Sequence, residues 1–327
     1  MNDRELEQRL RAANPVGSAR NAPLTPRERA VMESIIAEPV PAAPARRTAR
    51  WSFVAAPLGA LAVLAVIIGF FGPFAAPAAA YGPPPLVYEA VDDTLEEIVR
   101  VAQQRLTAER QTLTAERRSE SVSWNLAVSE SGEPEEISFI SPLVTSLRWT
   151  EALAGSRIVR EGEPYPIDDP AFTPSTVVDP GTVLNEETYA AGEYPAYLPD
   201  AGNLDAQYAK DLLAQYAPTT TEQPGDAMWA IIDLLNEWTL TNTQHGYLLD
   251  SLLAYDRIAV LGTTTDRSGR PVIGIQGMAN GGLATTLLIS AETGRIVGVE
   301  TAVASSDAAL PVPHGTVTSY ILWKDSD

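Results

Sequence analysis

Cysteine is absent from all 327 residues, which excludes disulfides, a thiolate zinc site and a lipidated lipoprotein cysteine. Histidine is nearly absent: His245 and His314 lie about 70 residues apart, too few and too separated for histidine catalysis or a multi-histidine metal site. There is no Gly-x-Ser-x-Gly elbow and no phosphate-binding loop. Carboxylate pairs occur at Asp92-Asp93, Glu135-Glu136, Asp168-Asp169 and Glu186-Glu187, but among 42 acidic residues such pairs arise by chance and form solvated surface. No EF-hand spacing surrounds Asp168-Asp169 or Glu186-Glu187. The sequence therefore offers no catalytic, cofactor-binding or metal residue, and it reads as a non-enzyme.

Charge is missing from residues 51–80, and within them Trp51–Phe74 is an uninterrupted, mostly apolar run of 24 residues. As a helix it spans ~36 Å, against a bilayer core of about 30 Å. Pro57 is expected in or near the first turn, where a missing N–H costs little, which leaves 18 residues from Pro57 to Phe74, and Gly72-Pro73 is the stop. The spacing predicts a transmembrane helix in contact with the lipid bilayer over residues 51–74. Residues 1–50 hold nine arginines, no lysine and six acidic residues, a net of +3; the whole chain is −19, so residues 81–327 carry −22. Basic flanks stay cytoplasmic, which puts the N-terminus inside and the C-terminal bulk outside the cell membrane. Ala78-Ala79-Ala80 before Tyr81 fits a signal-peptidase site. The 50 preceding residues favour an uncleaved signal anchor over a cleaved leader. The negative outer surface argues against nucleic acid and against anionic headgroups as its ligands.

The cytoplasmic stub, residues 1–50, has one specific signal. Thr25-Pro26-Arg27-Glu28 is a capping box with proline at the first helical position. Val31, Met32, Ile35 and Ile36 then line one face, and Pro39 ends the segment. A helix this short is marginal alone, so its apolar face calls for a surface: a cytosolic regulatory protein, another copy of the chain or the membrane. Residues 39–45 are a linker of polyproline character.

Beyond the span, residues 75–91 read as an extended spacer and residues 92–327 as an extracytoplasmic α+β domain. Thr94-x-x-Glu97 opens a helix with Leu95, Ile98, Val99, Ala102 and Leu106 at helical spacing. Val122, Trp124, Leu126 and Val128 alternate with polar or small residues as in a half-buried strand. Ile137 with Phe139, Leu147 with Trp149, and Ile158 with Val159 continue as successive antiparallel strands. From Glu161 to Asn203 periodicity vanishes amid seven prolines, so this stretch reads as a lid or insertion. Three helices follow, with Asn203 and Asp226 as expected caps and the third over 244–255. A β-meander closes the chain, with turns at Asp266-Arg267-Ser268-Gly269, Asn280-Gly281 and Glu292-Thr293-Gly294. About nine strands and four helices joined by tight turns predict a curved antiparallel sheet, a half-barrel, packed on helices.

Leu10-Arg11-Ala12-Ala13-Asn14-Pro15-Val16, the arginines before the span, Gly82-Pro83-Pro84-Pro85-Leu86 and Tyr197-Leu198-Pro199-Asp200 belong to a pattern. Val260-Leu261-Gly262, Asp266-Arg267-x-Gly269-Arg270-Pro271, Leu287-Leu288-Ile289, Glu292-Thr293-Gly294-Arg295 and Thr318-x-Tyr320 complete it. In these the chain resembles a family of actinobacterial single-pass membrane proteins. The resemblance implies an outer domain similar to the lipoprotein-carrier fold, also used by envelope regulators of extracytoplasmic sigma factors, in which a half-barrel around helices accepts acyl chains. The His-x-x-x-Cys-x-x-Cys pattern of zinc-containing anti-sigma domains is missing, which leaves the Thr25–Ala37 helix as the cytosolic contact. The expected function is a membrane-anchored envelope sensor or regulatory binding protein linked to a sigma factor. The alternative is an envelope lipid or lipoprotein carrier, with a cell-wall enzyme as the weaker third.

Overall fold

A computed structural model of the chain describes residues 81–108, 114–129, 134, 139–166, 178–218, 223–305, 308 and 310–324. The chain divides into two units, Met1–Pro73 and Phe74–Asp327, and the described residues all belong to the second. The transmembrane helix, the stub helix with Val31, Met32, Ile35 and Ile36, and residues 75–80 of the spacer lie outside the described residues. No helix among the described residues is long and apolar enough to cross a membrane.

The class is α+β. Nine strands form one antiparallel sheet: β1 (Arg118–Asn125), β3 (Leu143–Trp149), β4 (Gly155–Glu161), β6 (Val183–Tyr189), β7 (Ala259–Thr265), β8 (Pro271–Ala279), β9 (Leu283–Ser290), β10 (Ile296–Val303) and β11 (Val317–Trp323), in the order β6-β4-β3-β1-β11-β10-β9-β8-β7. A separate two-stranded ladder joins β2 (Phe139–Ile140) to β5 (Tyr165–Pro166). Phe139 therefore does not continue the main sheet, and β1 pairs directly with β3. Among the described residues the α-helices are α1 (Leu95–Ala108), α2 (Ala206–Tyr216), α3 (Pro224–Glu237) and α4 (Asn242–Leu252).

The two sides of the sheet are covered differently. On one side the apolar stripes of all four helices meet Ile275, Leu287, Ile289, Ile296 and Val299 in the main core. Helix α3 contributes Met228, Ile231, Ile232 and Leu235, each at most 4% exposed. The inner face of β1 carries serines, and Ser119 Oγ donates to the Leu235 carbonyl at 2.7 Å. On the other side Trp124, Val272, Leu288, Val297, Tyr320 and Leu322 form a second cluster, covered by Leu86, Tyr88, Leu126 and Tyr165. Strands β9 and β10 are thus buried on both faces, Thr285, Thr286, Ser290, Glu300 and Thr301 included.

Residues 82–89 are extended, as the prolines imply, but they are fastened across that second face as a strap. Glu89 exchanges two backbone bonds with Thr263 on the β7 edge, 2.8 and 2.9 Å, and Thr264 Oγ1 donates to the Val87 carbonyl at 2.7 Å. Tyr88 lies so close to Gly274 that a Cβ there would collide with its ring. Arg267 donates to the Pro84 carbonyl at 2.9 Å and forms a charged hydrogen bond with Glu300, whose other oxygen accepts from Leu86 N at 3.4 Å. The neighbouring Asp266 takes Ser268 N and Arg270 N, and Arg270 reaches the Trp323 and Val297 carbonyls. The Asp266–Arg270 segment is therefore a turn whose two arginines tie β7 and β8 to the strap and to the sheet centre.

Several expected boundaries shift. Residues 161–203 are not without structure: β6 is the outermost strand, paired to β4. It buries almost nothing, so selection for a period-2 apolar pattern is absent. Helix α2 is capped by Asp205, which accepts from Gln207 N and Tyr208 N, rather than by Asn203. Helix α3 begins at Pro224, and Asp226 in its first turn binds Asn280 instead of capping. Helix α4 starts two residues early because Thr241 and Gln244 form a full capping box.

Candidate functional site

An open groove of about 680 Å³ lies between the end of β3, the 199–205 loop and the first turn of α4. Its floor is built by two indoles. Trp149 ends β3 and Trp238 follows α3; they meet edge to face at 5.1 Å and 83° and are 5% and 2% exposed. Neither ring can turn freely. Trp149 Nε1 donates to the Glu237 carbonyl at 3.0 Å and Trp238 Nε1 to the Leu198 carbonyl at 2.9 Å. Gly202 is required beside them, since a Cβ there would lie 2.9 Å from the Trp238 ring.

The loop that forms one wall is pinned by Glu237. Its carboxylate accepts from the Tyr194 hydroxyl at 3.2 Å, from Tyr197 N at 2.8 Å and from Leu198 N at 3.0 Å. Burial, and then the Glu237 carboxylate, push the Tyr194 phenol well above its ordinary range. Gln244 Nε2 donates to the Gly202 carbonyl at 3.0 Å and ties the same loop to α4.

Arg117 lies on this floor. Its backbone carbonyl accepts from Trp149 N at 2.9 Å, and its guanidinium carbon stacks 5.3 Å from the Trp149 centroid and 5.1 Å from that of Trp238. A guanidinium over an indole face is favourably placed by the ring's charge distribution. Arg117 Nε is buried with no hydrogen-bond partner, and the guanidinium makes no hydrogen bond or ion pair among the described residues. Glu151, Asp200 and Asp205 line the same groove, together with Asn203, Thr243 and Tyr247. The arrangement can bind an anionic group through a preorganised guanidinium in a polar cleft. It lacks a paired nucleophile and base.

The histidines stand apart from it. His245, on α4, is 2% exposed, and its Nδ1 accepts from Ile296 N at 3.3 Å. Burial, and then the nearby Arg295 charge, hold it well below the usual imidazole range. Among the described residues no group of three histidines and carboxylates converges as a metal site. Glu186 and Glu187 lie along β6, and Glu187 faces Arg157 at 3.7 Å; Asp168 and Asp169 lie outside the described residues. The groove itself escapes sequence reasoning because Arg117, Trp149 and Trp238 come from three elements far apart in the chain. The one usable signal is the pair of tryptophans, each at the end of an apolar run.

No family model matches this chain. No curated protein matches it either. Eight solved chains do. One is in the crystal structure of MucB in complex with MucA(peri), at 8% identity and a TM-score of 0.26 over 70% of this chain and 54% of that one. Another is in the complex structure of Pseudomonas aeruginosa MucA/MucB, at 9% identity and a TM-score of 0.25 over 70% of this chain and 55% of that one. The chain spans about half the length of the solved chains it matches. At such scores the superpositions carry no argument about architecture or activity.

Proposed function

We propose that this chain is a membrane-anchored envelope binding protein of sensor or regulatory type, not an enzyme, and that its outer domain takes its ligand in the Arg117 groove. The observation that carries the reading is the guanidinium over two indoles, without an anion of its own among the described residues. A cation held rigid by two indoles, in a cleft open to solvent, is a receptor for a carboxylate or similar group. The apolar helix stripes that would line an acyl-chain cavity are instead spent in the main core, so the lipid-carrier alternative draws no support from them. On the cytoplasmic side, the Val31, Met32, Ile35 and Ile36 face would hold a regulatory protein, with a sigma factor as the candidate.

The test uses the full chain in detergent. Because Arg117 touches two tryptophans, an anion drawn to it perturbs indole fluorescence. N-acetyl-trialanine, which carries one carboxylate and no amine, is expected to give a saturable change that Arg117→Ala abolishes. No saturable change in the wild-type chain with this probe or with trialanine free at both ends, or an identical change in the variant, overturns the reading. For the inner face, Val31→Asp with Ile35→Asp is expected to abolish capture of a purified sigma factor by the full chain.

A further inference from the structure

The groove holds more than a cation, and its other charges restrict what enters. Glu151, Asp200 and Asp205 line it with Arg117, so one positive and three negative groups share one cleft. The carboxylates of Glu151 and Asp200 make no hydrogen bond or ion pair among the described residues. Asp205 spends Oδ1 on the α2 N-terminus, accepting from Gln207 N and Tyr208 N at 3.0 and 2.8 Å. Acidic residues scattered on a surface would mean little. Here they line the same groove as a guanidinium whose Nε has no hydrogen-bond partner among the described residues, and whose carbon lies over two rings that are themselves held through their N–H groups. A ligand bearing only negative charge gains Arg117 and meets three repulsions. A ligand bearing only positive charge meets the guanidinium. A ligand with both charges satisfies both sets. Asn203, Thr243 and Tyr247 add uncharged donors and acceptors on the same walls, which suits a ligand with amides of its own.

We infer that the groove is selective for a zwitterionic peptide segment, its carboxylate on Arg117 and its ammonium among Glu151, Asp200 and Asp205. The inference rests on the reading of the groove as the ligand site and adds the ligand's chemical class.

The experiment compares three probes on the full chain by tryptophan fluorescence: trialanine with both ends free, N-acetyl-trialanine and trialanine amide. Free trialanine is expected to bind at least tenfold more tightly than either blocked form. Glu151→Gln with Asp200→Asn changes two exposed side chains and leaves the fold intact; it is expected to erase the advantage over the acetylated probe. Equal affinity for free and acetylated trialanine overturns the zwitterion inference while leaving the anion site standing. Equal preference in the wild type and the double variant also overturns it, since the carboxylates would then play no part. Binding of neither carboxylate probe overturns both.

Discussion

Two stacked arginines mark two regions of this domain. Arg267, under the strap, lies 5.1 Å from the Tyr320 ring, much as Arg117 lies 5.3 and 5.1 Å from its two indoles. The regions differ in what completes the charge. Arg267 finds Glu300 and the Pro84 carbonyl within the fold, and the pair is nearly buried at 11% and 8% side-chain exposure. Burial raises the Glu300 carboxyl above its ordinary range, while Arg267 opposes that shift. Arg117 has no such anion among the described residues and opens onto a groove. The same chemistry thus serves as a fastening in one place and, in the function we propose, as a receptor in the other. The difference lies in whether the chain supplies the counter-charge.

The largest expected effect separates the two. Glu300→Ala leaves Arg267 buried and unpaired, and should cost ~3–5 kcal/mol in urea unfolding monitored by circular dichroism. Arg117→Ala removes two cation–ring contacts and should cost about 1–2 kcal/mol. If the two variants lose equal stability, Arg117 is a structural residue and the contrast fails. Next in size is Gly202→Ala. The added methyl would press on the Trp238 ring, which is 2% exposed and cannot retreat. A loss of about 1–3 kcal/mol is expected, with an altered tryptophan spectrum, because the ring displaced is the one that stacks on Arg117.

A smaller effect belongs to pH and to neither arginine. His245 is held neutral in the fold by burial, with its pKa lowered well below that of an exposed imidazole. The unfolded chain takes up a proton as pH falls through about 6.5, whereas the folded chain does not. Stability is therefore full above that pH and is lost as pH falls below it, by at most ~1.4 kcal/mol per pH unit from this one group. His245→Gln should flatten the slope between pH 6.5 and 5. An unchanged slope in the variant would place the acid sensitivity elsewhere.

How much of this is legible in the sequence depends on how local each cause is. Asp266–Gly269 and Asn280-Gly281 declare their turns because an aspartate or glycine acts on its own backbone, and the antiparallel meander β7 to β11 follows from them. Thr241-x-x-Gln244 carries a capping signature, but the apolar spacing alone starts α4 later. Strand β6 is opaque because an edge that buries nothing leaves no alternation. The strap is opaque for a different reason. Gly82-Pro83-Pro84-Pro85 has the composition of a spacer, and its fastenings at Thr263, Arg267 and Glu300 lie far along the chain. The groove is the extreme case, since its three central residues share no sequence neighbourhood and its charge balance appears only in three dimensions.

The last and smallest prediction tests whether the strap is a finished fastening. Tyr88 packs over Gly274, yet its hydroxyl is buried without a hydrogen-bond partner, and burial raises its phenol well above the ordinary range, with Glu300 adding to the effect. A buried polar group left unmatched costs free energy that its removal recovers, while the ring keeps its contacts. Tyr88→Phe should therefore stabilise the domain by ~1 kcal/mol, read as a rightward shift of the urea midpoint with no change in slope. The same substitution should leave trialanine affinity untouched, because the strap and the groove carry separate charges. A destabilised Tyr88→Phe would mean that the hydroxyl has a partner in solution beyond the described residues.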